Sequence, residues 1–301
     1  MDELLRNIDF AVNDYPVYDP ECALSHFPFH YMSNGEPVHA FMWVAAAEEP
    51  LGTVIISPQK NGGDSYESLI TPLISSGIHV MKIHPRGMWD SVPASNSPMK
   101  TVDDIHAAVE WLRSNDGEHT SYGMRDRTFR VDPDRLGIIG KSGGGGTAGL
   151  VATAENPHLN SVVALGPVNM EMYRGMPDMI NHGIGGEFEK ATLAFYERDK
   201  TLTAGRVDHA FAMGAMTPAD FDRVSIIKRA VDLVDKNVLL VGGSADAAHT
   251  AGTHNPFVEA MRAAGAQNFT DVLLQADTYF LTARIALARL VIAWLRKQGF
   301  S

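Results

Sequence analysis

The sequence predicts an α/β protein, a mostly parallel central sheet flanked by helices on both faces. Three observations carry that prediction. Short, wholly apolar runs recur along the chain, as strands covered on both sides require. They alternate with segments whose apolar residues fall at three- and four-residue spacing. No repeat, low-complexity tract or Pro/Gly/Ser-rich linker interrupts the 301 residues, so 1–301 reads as a single domain.

The strand candidates are GTVIIS (52–57), HVMKIH (79–84), RLGIIG (135–140), SVVALG (161–166), NVLLVGG (237–243) and FTDVLLQA (269–276). Between them, Ile105, Val109 and Leu112 mark a helix in TVDDIHAAVEWLRS, with Thr101 as its expected cap and Asp103 and Asp104 at its positive end. Phe257, Met261 and Ala264 mark another. The last helical stretch, LTARIALARLVIAWLRKQ, is apolar around most of its circumference and is expected to pack on the sheet.

One region breaks the alternation. Residues 168–225 read as helices and loops without a strand, and hold six of the 14 methionines: Met170, Met172, Met176, Met179, Met213 and Met216. Methionine fills irregular apolar spaces. The segment is either a packed helical insertion or a helical lid whose methionines line a substrate cleft.

Bulk properties narrow the function. A net charge of −11 argues against general nucleic-acid binding, which needs a basic face. The single cysteine, Cys22, allows no internal disulfide, and the acidic N-terminus lacks a signal-peptide core. No apolar run approaches bilayer length. A cytoplasmic protein with a small-molecule partner is expected, with no nucleic acid or membrane partner and with homodimer formation left open.

RLGIIGKSGGGGTAG (135–149) can be read in two ways. A phosphate loop needs a glycine five residues before its Gly-Lys-Ser, where this chain has Arg135. The competing pattern, Gly140-x-Ser142-x-Gly144, lies between a strand and a helix, the context of a nucleophile elbow. There the serine adopts a strained conformation, small neighbours relieve crowding, and the helix N-terminus favours developing negative charge. Lys141, the intervening residue, is expected at the surface.

With these stretches in view, the chain resembles the α/β-hydrolase superfamily, nearest to small esterases and prolyl-oligopeptidase-like serine hydrolases. HPRGMWDS (84–91), the elbow, VLLVGGSADAAHT (238–250) and LLQADTYF (273–280) carry the resemblance, which spans roughly residues 50–300. It implies Ser142 as nucleophile, Asp246 as acid, and oxyanion donors at the amides of Gly143 and of Gln59 or Lys60. Arg86 and Gly87 match a pair of structural support.

The resemblance fails at one position. Relatives end the last strand in Asp-His-x-Phe, and this chain has Asp-Thr-Tyr-Phe, with Thr278 in the place of the general base. Threonine accepts no proton near neutral pH. Loss of one triad member leaves roughly 10³–10⁴-fold catalysis over water. Three explanations stand: an inactivated variant, a relocated base, or a fold reused for non-hydrolytic chemistry or ligand binding. His249 and His84, both after strand ends, are the best substitute bases; His254, His182 and His209 are more remote ones. No CxxC or HExxH pattern implies a metal, and no cofactor is expected. The expected chemistry is attack on an ester, thioester or amide carbonyl of a small, largely apolar substrate.

Overall fold

An Asn-Gly pair between alternating stretches makes a hairpin, because both residues tolerate positive φ. Asn34 (φ 49°) and Gly35 (φ 80°) form such a turn, joining β1 (Ser25–Ser33) to β2 (Glu36–Val44) in antiparallel register. The computed structural model describes residues 25–58, 67–87, 91, 97–121, 127–173, 217–277 and 279–301. The sheet therefore begins well before residue 50, where the resemblance in sequence starts.

Each apolar run forms a strand: β3 (Leu51–Ser57), β4 (His79–His84), β6 (Arg127–Lys141), β7 (Ser161–Leu165), β8 (Asn237–Gly243) and β9 (Phe269–Leu274). A short β5 (Glu118–Ser121) pairs with the first part of β6. The order across the sheet is β1-β2-β4-β3-β6-β7-β8-β9. From β4 onward the pairings are parallel, so the C-terminal ends of β3, β6, β7 and β8 share one rim.

Side-chain alternation divides the core into two layers. On one face, β residues such as Ile55, Ile138 and Leu240 meet α2 (Pro98–Arg113), α3 (Ala148–Glu155) and α5 (Asn255–Ala263). On the other, Ile56, Ile139 and Val241 meet α1 (Glu67–Ser75) and α6 (Arg284–Lys297). The ring of Phe300 fills a slot in this second layer over Gly52 and Gly137, at 2.9 Å from where a side chain on either would begin.

Three local expectations are corrected. Ser97, not Thr101, caps α2 by accepting from the Lys100 amide at 3.2 Å, and Thr101 is buried one turn in. Asp104 faces the interior, where its carboxylate accepts from Arg86 Nε (2.6 Å) and the Arg86 amide (2.8 Å). Arg86 also reaches Glu36 Oε2 at 2.9 Å, tying the β4 end to the hairpin, in keeping with a supporting role. Finally, α6 is one-sided: Leu287, Val291, Trp294 and Leu295 are buried while Ile285 is 72% exposed.

His79 is buried on β4, its Nδ1 accepting from the Ala45 amide (3.1 Å) and its Nε2 facing the Arg130 carbonyl (3.2 Å). The second contact needs Nε2–H, so the ring is held neutral. Burial lowers its pKa from 6.5 to about 4. Below 6.5 the unfolded chain takes up a proton that the folded one refuses, so stability falls as pH drops from 6.5 to 4, then levels off. The loss is about 3 kcal/mol. Urea midpoints should decline more steeply across that window for the native protein than for His79→Gln.

Candidate active site

The end of β6 and the start of α3 are joined by six residues, Ser142–Thr147, wound as a single wide π-type turn. Such turns are rare and concentrate at functional sites. Ser142 opens it with φ 57°, left-handed for a residue with a side chain, and is partly exposed at the strand rim. The turn between strand and helix therefore carries backbone strain at Ser142.

The glycines are forced by close approach. A side chain on Gly140 would collide with the Gly145 carbonyl, and one on Gly145 would strike the Ser57 carbonyl at the end of β3. One on Gly143 would meet Met170 Sδ at 3.1 Å and Val168 Cβ at 3.5 Å. Thr147 fixes that neighbouring segment: its hydroxyl donates to the Val168 carbonyl (2.6 Å) and accepts from the Val168 amide (3.0 Å). The chain leaving β7 is thus clamped beside the Ser142 turn.

Of the 168–225 segment, only its two ends lie within the described residues. Met170–Tyr173 forms a 3₁₀ turn, and Met170 packs with Phe221 and Val224 in a small apolar cluster. The return is α4 (Pro218–Arg223), capped by Thr217, whose Arg223 clasps Glu155 of α3 with two contacts of 2.7 Å. Met176, Met179, Met213, Met216, His182 and His209 lie outside the described residues, as do Gln59, Lys60 and Thr278.

Asp246 follows β8 and caps the next turn, its Oδ1 accepting from the His249 amide at 3.0 Å. The loop that carries it is knitted to the one after β9: Ser244 N donates to Leu274 O (2.8 Å) and Ala245 N to Ala276 O (3.0 Å). A side chain on Gly243 would strike the carbonyls of Ala276 and Asp277. The chain immediately before position 278 therefore lies against the Asp246 loop, and β7 alone separates β8 from the strand of Ser142.

His249 and His84 fare differently. The ring Nε2 of His249 is buried without a hydrogen-bond partner among the described residues. Burial lowers its pKa below 6.5, Asp246 opposes the shift, and His254 and Lys141 add to it. The imidazole is therefore neutral near pH 7, as a base must be. His84 stands two strands from β6, roughly 10 Å away at normal strand spacing, with its ring on Phe41. It is not brought to Ser142.

Lys141 corrects the expectation of a surface residue, for it is buried. Sequence reasoning also passed over Asn169, Thr250 and the fuller part of His254. Asn169 Oδ1, Thr250 Oγ1 and both ring nitrogens of His254 are buried without a partner among the described residues, and the Asn169 backbone amide donates to Thr253 Oγ1 at 3.4 Å. Among the described residues no group of three or more His, Cys, Asp or Glu side chains could hold a metal ion. None of their helices is long and apolar enough to cross a membrane.

Comparison with known proteins agrees with this fold. A family profile described as PETase, PET hydrolase-like, matches residues 40–186, a span that contains Ser142. No curated protein sequence matches. Among solved structures, an esterase of Pyrococcus furiosus superposes with a TM-score of 0.63 at 15% identity, covering 93% of this chain and 94% of that one. A 2,6-dihydroxy-pseudo-oxynicotine hydrolase gives 0.62 at 14% identity, covering 92% and 70%. A proposed dienelactone hydrolase from Klebsiella pneumoniae gives 0.58 at 18%, covering 91% and 99%. At these identities the likeness is one of fold.

Proposed function

The chain has the α/β-hydrolase fold, and on that premise we propose that it is an esterase-like serine hydrolase using Ser142 as nucleophile. One observation carries the proposal: Ser142 is held at φ 57° where the central strand turns into a helix. Strain of this kind costs of order 1–3 kcal/mol and persists where the surroundings enforce it. Here the enforcement comes from Gly140, Gly145 and the β3 end.

In the proposed reaction Ser142 Oγ attacks an ester, thioester or amide carbonyl and gives up its proton to a base. The carbonyl oxygen, now an oxyanion, takes hydrogen bonds from the Gly143 amide and a 59–60 amide. The base returns the proton to the leaving group, and water repeats the sequence to release the acid. His249 is assigned as that base. It follows Asp246 by one turn, its Nε2 has no competing partner among the described residues, and it is neutral at pH 7. The apolar packing of Met170 and Val168 beside Gly143 supports a small, largely apolar acyl group.

Thr278 favours a second reading, a non-hydrolytic catalyst of cyclase, lyase or isomerase type, or a ligand-binding protein, in the same pocket. Paired measurements separate the two. Under the hydrolase reading a fluorophosphonate labels Ser142, and His249→Asn slows labelling at least about 100-fold. Thr278→His should raise p-nitrophenyl ester turnover by supplying a second base. Unlabelled Ser142 together with an inert Thr278→His protein would leave only the second reading standing.

A further inference from the structure

Lys141 precedes Ser142 and is 1% exposed, one of the largest fully buried side chains of the protein. Lysine is almost never buried so far, because its ammonium group loses hydration. Strand alternation puts it on the face of Ile139, in the layer of α1 and α6. Two of its contacts are ring faces: Nζ lies 5.4 Å from the Tyr279 centroid and 5.1 Å from that of Phe280.

Phe280 has φ 55°, a backbone state that a bulky residue keeps only when its setting demands it. The loop around it is tightly organised. Asp277 Oδ1 accepts from the amides of Tyr279 (3.1 Å) and Leu281 (3.2 Å), and the Asp277 carbonyl accepts from Phe280 N (3.1 Å). The same loop is bonded to the Asp246 loop through Ala245 N and Ala276 O. Lys141 thus links the nucleophile strand to the loop that backs the acid.

We propose that Lys141 is a positioning residue, a cation–π latch that fixes the 277–281 loop, and through it the Asp246 loop, relative to Ser142. The effect on catalysis rests on Ser142 acting as the nucleophile; the latch itself does not. Misplacement by about an ångström at a reacting centre can cost 100-fold, which is the scale such a latch protects.

Lys141→Met keeps the volume and removes the cation; Lys141→Arg keeps a cation suited to ring faces. The Phe280 and Ala283 amides of the Met protein should exchange about tenfold faster, and fluorophosphonate labelling of Ser142 should slow about tenfold, with Arg recovering both. Tyr279→Leu, at a half-exposed site, should shift both readouts in the same direction if the Met protein folds poorly. Native exchange and labelling in Lys141→Met, or in Tyr279→Leu where that stands in for it, would overturn the latch. Absence of labelling in the native protein would instead sink the nucleophile assignment, and exchange would still decide the latch.

Discussion

Ser142→Gly is expected to melt higher than the native protein while losing acyl transfer at least about 10³-fold. The opposing signs follow from one dihedral angle. At φ 57° a side chain costs free energy that glycine does not incur, so the substitution should add about 1 kcal/mol of stability. It also removes the proposed nucleophilic oxygen. Ser142→Ala should lose the activity without the gain, since alanine keeps the Cβ atom. Thermal melts beside ester turnover check both. A Gly variant less stable than the Ala variant would show that the backbone is not strained there.

The second large effect is structural. Gly145→Ala should cost about 3 kcal/mol and open the rim at the site. The new methyl would overlap the Ser57 carbonyl and come 2.8 Å from that of Pro58, backbone atoms that cannot swing aside. Either the turn or the end of β3 must move, and the segment expected to carry the 59–60 oxyanion amide leaves from that end. Gly265→Ala provides the contrast: φ is +83° but nothing lies within 4 Å, so only backbone strain of about 1 kcal/mol applies. Denaturant midpoints rank the two. Equal costs would mean that the contact at Ser57 yields easily.

The parallel strands were legible because burial on both faces writes them as continuous apolar runs, and the tight turn at Ser142 because its glycine spacing falls between a strand and a helix. The β1–β2 hairpin carried a readable signal as well: Asn34-Gly35 flanked by alternation, which β2 realises as buried and half-buried residues in turn. Lys141 was misjudged by treating it as part of the turn. The period of two that sends Ile139 inward sends Lys141 inward too. The union of Arg86 with Asp104 and Glu36 was beyond sequence, since it joins a strand end, a helix and a hairpin far apart along the chain. The same holds for the knitting of the Asp246 loop to residues 274–276, which depends on neighbouring strands ending level.

The seat of Phe300 between Gly52 and Gly137 has a consequence for the sheet. Those glycines belong to the adjacent strands β3 and β6, so the Phe300 side chain acts as a wedge beneath the middle of the sheet. Phe300→Ala would withdraw that wedge and leave a ring-sized void under both strands.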